Sequence, residues 1–172
     1  EGMLEAAKFC REYDIPYLGL CLGMQIMVIE YSRNILGLKD ANSTEMNENT
    51  AFPVIDLMEE QKTITDKGGT MRLGAWACEL KDDSIIKDVY GVSNIEERHR
   101  HRFEYNNAYR TQLEAAGLKT TGINPQTNLV EIVEIEDHPW FVGVQFHPEL
   151  KSRVLNPHPL FSSFISSCVE SK

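Results

Sequence analysis

A cysteine placed between a strand and a helix, within residues 16–25, constrains the fold of this chain more than any other feature. Residues 15–20 form a short apolar run, which is typical of a buried strand. Residues 22–31 have the length and composition of a helix. Cys21 lies between them, with a glycine two positions away on either side. This pattern is the cysteine form of the nucleophile elbow, a sharp turn that presents a nucleophile to substrate.

The order of predicted elements around this elbow indicates an α/β fold. An amphipathic helix over residues 3–13 precedes the strand, so the first third predicts helix, strand, helix, as in a layered fold with a parallel sheet. Residues 37–75 carry little regular signal. The rest of the pattern predicts strands at 75–80, 89–92, 129–135 and 140–146, a helix at 109–116 ended by Gly117, and a helix at 159–169.

Composition excludes several classes of protein. The 172 residues suit one domain, and 17 basic against 26 acidic residues give a net charge of −9. That sign argues against a general binder of nucleic acid or of membrane surfaces. The longest uncharged apolar stretch, residues 15–29, is too short to span a bilayer, and the first residues do not resemble a signal peptide. Four cysteines without a Cys-x-x-Cys pair predict no disulfide scaffold and no metal site, and favour the cytoplasm.

A base for Cys21 is suggested by the segment Gly-Val-Gln-Phe-His-Pro-Glu that ends the strand at 140–146. His147 follows that strand, and Glu149 lies two residues further on, where its carboxylate can orient the imidazole. Cysteine, histidine and glutamate then form a nucleophile, base and orienting acid. Taken singly, Cys21 could be a small buried hydrophobe and His147 an ordinary turn histidine.

These two motifs together resemble the class I, triad-type glutamine amidotransferases, which hydrolyse glutamine and pass ammonia to a second active site. Three further stretches resemble the glutaminase domain of the CTP synthases: residues 40–45, 68–74 and 97–104. The resemblance covers nearly the whole chain. It implies a three-layer α/β sandwich with a mostly parallel central sheet that lacks its first strands here.

The resemblance also implies a role for each matching residue. Cys21 attacks the glutamine side-chain amide to form a thioester, His147 protonates the ammonia and then activates water, and Glu149 orients His147. The backbone N–H of Leu22 holds the oxyanion. The expected glutamine-binding residues are Leu22, Gly23, Met24, Gln25, Glu45 and Arg102, with Glu45 facing the α-amino group and Arg102 the α-carboxylate.

For the longer protein, the resemblance implies an N-terminal synthetase domain that this chain does not contain. That domain uses Mg-ATP and UTP to make CTP, GTP activates the glutaminase half, and the whole enzyme is a homotetramer. No cofactor is expected in the glutaminase domain itself. The family's second oxyanion N–H comes from a loop that precedes the first residue here, and losing one such donor typically costs about 10²–10³ in rate.

Other readings of the sequence stay open. A γ-glutamyl hydrolase or another class I amidotransferase would share the triad, and the chain could also be an inactive regulatory or interaction fragment. Residues 98–102 alternate arginine and histidine, as in a basic edge strand, and His99 and His101 lack a third metal ligand. The glycine-rich stretch at 68–74 resembles a family lid but has no phosphate-binding lysine of the Walker type.

Overall fold

Two sheets and five helices make up the computed structural model, which describes residues 1–57 and 71–171. The helices are α1 (Gly2–Glu12), α2 (Leu22–Asn34), α3 (Ile85–Tyr90), α4 (Arg110–Ala115) and α5 (Pro159–Glu170). The strands are β1 (Tyr17–Leu20), β2 (Ala41–Ser43), β3 (Phe52–Asp56), β4 (Arg72–Leu80), β5 (Asn94–His101), β6 (Glu104–Tyr105), β7 (Leu118–Ile123), β8 (Val130–Ile135) and β9 (Phe141–Val144). Short 3₁₀ turns cover Asn107–Tyr109 and Pro148–Leu150.

The larger sheet has six strands in the order β1-β9-β8-β7-β4-β5, and the smaller has the order β2-β3-β6. Within the larger sheet only β1 and β9 run parallel, while the other four neighbouring pairs are antiparallel. The prediction of a mostly parallel sheet is therefore wrong for the described residues. The connections from β7 to β8 and from β8 to β9 are short, whereas parallel neighbours need longer crossovers, so these strands pair antiparallel.

Helices cover both faces of the larger sheet, so the predicted three-layer α/β arrangement is confirmed. On one face α2 packs between the six-stranded sheet and the small sheet, in a core that includes Met24, Val28 and Phe141. On the other face α3 and α5 cover a second core around Ile132 and Val144. Because both faces are covered, every residue of β8 is buried. Among the described residues, no helix has both the length and the apolar composition to cross a membrane.

Two local predictions fail. Residues 89–92 are not a strand, because Val89 and Tyr90 are the last two residues of α3. Ser84 caps the start of this helix by accepting from the N–H of Lys87, and Gly91 caps its end with φ 68°. The β-branched residues at 89 and 92 suggested a strand, but the capping residues on either side favour a helix. Residues 37–75, read as lacking regular structure, contain β2, β3 and the start of β4. Residues 68–70 of the lid-like stretch lie outside the described residues.

Glu134 on β8 holds α3 against the sheet from within the core. Its two carboxylate oxygens accept from the N–H groups of Ile85 (2.9 Å) and Ile86 (3.1 Å), the first residues of the helix. The hydroxyl of Thr121 on β7 donates to the same carboxylate at 2.9 Å. The first N–H groups of a helix have no acceptor within the helix, so they can satisfy the buried carboxylate of Glu134.

The close crossing of β1 and α2 predicts that Gly19→Ala destabilises the fold. A Cβ at Gly19 would lie 2.6 Å from the carbonyl carbon of Gly23 and 2.8 Å from the N of Met24, and backbone atoms there have little room to move. We expect the free energy of unfolding to fall by about 2 kcal/mol or more, as for other overpacked cores. Urea unfolding followed by circular dichroism measures this change.

Gly2→Ala is the matched control, because a Cβ at Gly2 meets nothing within 4 Å. Its urea midpoint should stay at or slightly above that of the parent protein. Equal midpoints for the Gly19→Ala variant and the control would contradict the close packing of the elbow.

Candidate active site

Cys21 occupies a strained position between β1 and α2, as an elbow nucleophile does. Its backbone has φ 49° and ψ −102°, in the positive-φ region that few residues other than glycine adopt. The N–H of Cys21 donates to the carbonyl of Val144 at the end of β9 (2.8 Å). The hydroxyl of Tyr17 on β1 donates to the carbonyl of Gly23 on α2 at 2.8 Å and fastens strand to helix. These bonds stabilise the strained turn.

The parallel pairing of β1 and β9 brings the predicted nucleophile and base to one edge of the sheet. Leu20, the last residue of β1, pairs with Val144, the last residue of β9. Cys21 therefore follows one strand and His147 follows the other at the same edge. The chain beyond β9 then reaches β5, where the N–H of His147 donates to the carbonyl of Arg98 at 2.8 Å. Because β5 is the far strand of the sheet, this bond shows that the sheet curls.

The side chains of His147 and Glu149 form a close hydrogen-bonded pair. His147 Nδ1 lies 2.6 Å from Glu149 Oε1, a distance at which the ring N–H donates to the carboxylate. That bond leaves Nε2 as the ring nitrogen that can accept a proton. Nε2 is buried and has no hydrogen-bond partner among the described residues. This pair has the arrangement of a base and its orienting acid.

The environment of the Cys21 thiol favours its neutral form. Burial raises the pKa of Cys21 to about 11. The N–H of Leu22 and the side-chain amide of Gln145 lower that pKa by hydrogen bonding to the sulfur, but burial outweighs them.

Gln145 is a site residue that the sequence interpretation did not single out. It is fully buried, and its Nε2 donates to Cys21 Sγ at 3.6 Å. Its Oε1 accepts from Nε2 of Gln25, and Gln25 also donates to the carbonyl of Phe103 at 3.1 Å. The amide of Gln145 thus connects the sulfur to the segment that carries Arg102. The sequence signal for Gln145 is that it is the one polar side chain in the predicted strand at 140–146.

Glu45 and Arg102, the expected ligands of the amino-acid ends of glutamine, lie at one end of the small sheet. Thr44 Oγ1 donates to Asp56 Oδ1 at 2.7 Å, and Asp56 pairs with Glu104, two residues after Arg102. Glu45 is exposed in the turn after β2, and Arg102 is half-buried.

The other expected glutamine-binding residues begin α2. Leu22 is partly exposed, and its N–H faces the sulfur. The side chain of Met24 is buried in the core, so only its backbone is available to a ligand. Gly23 offers only backbone groups, and its carbonyl already accepts from Tyr17.

The alternating pattern at residues 98–101 has the predicted geometry of an edge strand. Arg98 and Arg100 are exposed, while His99 and His101 are buried and hydrogen-bonded to each other at 2.8 Å. Burial, and then the nearby charge of Arg72, lower the pKa of His99 to about 2 and that of His101 to about 3. Both histidines are therefore neutral. Within residues 1–57 and 71–171, no group of three metal-ligating side chains is present.

A groove with a volume of about 550 Å³ lies beside the turn that follows His147. Its lining includes the exposed arginines Arg98, Arg100 and Arg153 together with Leu73 and Leu150. Three guanidinium groups around one groove produce a positive surface on a chain whose net charge is −9.

Comparison with known proteins agrees with this geometry. The family model described as "Glutamine amidotransferase class-I" matches residues 1–167. The CTP synthase of Christiangramia forsetii is 66% identical over 170 residues, which are 99% of this chain and 31% of that protein. The chain thus spans about a third of the length of the curated relatives that it matches.

Solved structures show the same similarity. The glutaminase domain of Trypanosoma brucei CTPS with bound acivicin is 38% identical and superposes with a TM-score of 0.92, over 98% of this chain and 66% of that one. A putative GMP synthase protein from Thermoplasma acidophilum is 16% identical, with a TM-score of 0.60, over 98% of this chain and 65% of that one. At that identity the likeness concerns the fold alone.

The raised pKa predicts that Cys21 is alkylated slowly at neutral pH. Because only the thiolate reacts and its pKa is about 11, the rate with iodoacetamide should rise about tenfold per pH unit between pH 7 and 9.5. Peptide mass mapping at each pH gives the rate at Cys21, and Cys21→Ser identifies the labelled peptide. A rate that levels off near neutral pH would contradict a thiol held neutral by burial.

Proposed function

This chain belongs to the class I glutamine amidotransferases, and from that premise we propose that it hydrolyses glutamine through Cys21, His147 and Glu149. One observation carries the proposal: the parallel pair β1 and β9 ends in an elbow cysteine on one strand and a histidine–glutamate pair beyond the other. A buried neutral thiol and a ring nitrogen able to accept a proton are what a general-base mechanism needs.

The first half of the reaction forms a thioester. His147 Nε2 takes the thiol proton as Cys21 Sγ attacks the side-chain carbonyl carbon of glutamine. The resulting oxyanion is held by the N–H of Leu22, which already faces the sulfur. The C–N bond then breaks, His147 returns its proton to the departing nitrogen, and ammonia leaves. Glu149 keeps the imidazole oriented and stabilises its protonated form.

The second half releases glutamate. His147 accepts a proton from water, the hydroxide attacks the thioester carbonyl, and the C–S bond breaks. The proton held by His147 goes back to the sulfur, so the enzyme regains its neutral thiol. Burial of Cys21 favours this last step, because the same desolvation that raises its pKa opposes a free thiolate.

Free glutamine is a zwitterion, and we propose that two charged side chains select it. Glu45 receives the α-amino group and Arg102 the α-carboxylate, at the end of the small sheet where both residues lie. Gln25, whose amide bonds to the carbonyl beside Arg102, holds the wall of this pocket. A γ-glutamyl peptide or folate conjugate has the same α-amino and α-carboxylate groups but needs additional room beyond the side-chain carbonyl, and we propose free glutamine as the substrate.

In the longer protein, we propose that the ammonia aminates UTP to CTP in a separate synthetase domain that uses Mg-ATP. The relatives named CTP synthase support this proposal, since this chain is 66% identical to about a third of one of them. GTP is the proposed allosteric activator, and the arginine-lined groove offers a suitable charge for its phosphates. The whole enzyme is proposed to be a cytoplasmic homotetramer.

The decisive experiment is labelling of the protein with acivicin, the compound bound in the Trypanosoma brucei structure, with peptide mass mapping. We expect an adduct at Cys21 that is blocked by glutamine and not by a γ-glutamyl peptide. No adduct at Cys21 would contradict a glutaminase and favour a regulatory fragment. Protection by the γ-glutamyl peptide would favour a γ-glutamyl hydrolase.

The same experiment tests the role of Arg102. Arg102→Ala should raise the glutamine concentration needed for half-protection about tenfold to a hundredfold, because a charged hydrogen bond contributes about 1.5–3 kcal/mol. Arg110→Ala is the control, since Arg110 pairs with Glu114 on α4. Equal protection in both variants would show that Arg102 does not bind the carboxylate.

A further inference from the structure

Glu97 is a buried carboxylate on β5 that takes no part in the chemistry described above. It is only 1% exposed, and three side chains meet at its Oε1. The hydroxyl of Tyr90 donates at 3.0 Å, His158 Nε2 lies at 2.9 Å, and Lys151 Nζ lies at 3.3 Å. Tyr90 ends α3, His158 precedes α5, and Lys151 directly follows the turn Pro148–Leu150. Three separate segments are thus joined at one oxygen.

Three contacts with β5 hold the two ends of the turn that carries His147 and Glu149. At its start, the N–H of His147 donates to the carbonyl of Arg98 at 2.8 Å. At its end, Lys151 reaches Glu97 and also donates to the carbonyl of Glu96 at 2.6 Å. Three consecutive residues of β5 therefore hold both ends of a five-residue segment.

The negative charge of Glu97 favours its contact with Lys151. Burial by itself would raise the pKa of Glu97, but the hydrogen bond and charge of His158 and the charge of Lys151 outweigh burial and lower it. Glu97 is therefore ionised, and it attracts the ammonium group of Lys151 in a poorly solvated place. Replacing this carboxylate by a neutral amide would remove the charge that attracts Lys151 and leave only one weaker acceptor oxygen.

We propose that Glu97 is a positioning residue, which through Lys151 fixes the turn that aims His147 at Cys21. The expected effect on kcat rests on the proposed glutaminase function, whereas the expected effect on the position of the turn does not. The alternative is that Glu97 only joins α3 and α5 to the sheet. A misplacement of about 1 Å in a catalytic group can cost about a hundredfold in rate, so the two roles differ in measurable ways.

The test compares Glu97→Gln with Glu134→Gln in the 172-residue protein. Glu134 is also a buried acid that anchors α3, but its contacts lie with Ile85, Ile86 and Thr121, away from the turn. Both variants should lower the melting temperature. Only Glu97→Gln should reduce kcat for glutamine hydrolysis, by about tenfold to a hundredfold, with KM changed less than about twofold.

Nuclear magnetic resonance of ¹⁵N-labelled histidine gives a second readout that needs no turnover. His147→Ala assigns the His147 ring signals. We expect these signals to shift or broaden in Glu97→Gln and to stay unchanged in Glu134→Gln. If the parent protein hydrolyses no glutamine but these shifts occur, the positioning role stands and the proposed function fails.

Lys151→Met keeps the proposal testable if Glu97→Gln does not fold. Lys151 is largely exposed, so its replacement spares the core while removing the contacts with Glu96 and Glu97. We expect the same shift of the His147 signals and a smaller fall in kcat. Unchanged kcat and unchanged His147 signals in the folded variants, beside an active parent protein, would overturn the positioning role.

Discussion

The parallel pairing of β1 with β9 is the constraint on which the rest of the site depends. Tyr17 stacks on Phe141 with ring centroids 4.4 Å apart at the start of this pair, and Leu20 pairs with Val144 at its end. Gly143 lets α2 lie close beneath, since a Cβ there would meet Met27 Sδ at 2.9 Å. A slip of one residue would turn every side chain of β9 to the opposite face. The pairing register therefore determines where both the cysteine and the histidine emerge.

Around this pair, the structure supports the proposed nucleophile, Cys21, and the proposed base, His147, by different means. Cys21 is held by the backbone, through the elbow and its bond to Val144, and burial keeps its thiol neutral. The turn of His147 lies beyond the sheet and is held by β5, the strand at the opposite edge. A curled sheet can supply both supports, because its far strand comes round to the extension of β9. Buried charges such as Glu97 add directional contacts there that apolar packing lacks.

Much of this arrangement could be predicted from the sequence where the signal is local. The elbow, every described helix except α3, and the β8–β9 hairpin follow from glycine positions, apolar periodicity and turn residues. Sheet direction could not be predicted, because a single strand–helix unit suggested parallel pairing and the antiparallel partners of β4 are distant in sequence. Gln145 and Glu97 were missed for the same reason: Gln145 contacts a residue 124 positions away and Glu97 one 61 positions away. The high pKa of Cys21 depends on burial, which only the folded chain reveals.

We propose that Cys21 and His147, each following one strand of the parallel pair β1 and β9, form a working nucleophile–base pair. Acid quenching of the protein during incubation with glutamine, followed by peptide mass mapping, tests it directly. We expect a γ-glutamyl thioester on Cys21 that is absent or much reduced in His147→Ala. A thioester that forms equally well without His147, or no thioester in a protein that still releases glutamate, would contradict this nucleophile–base pair.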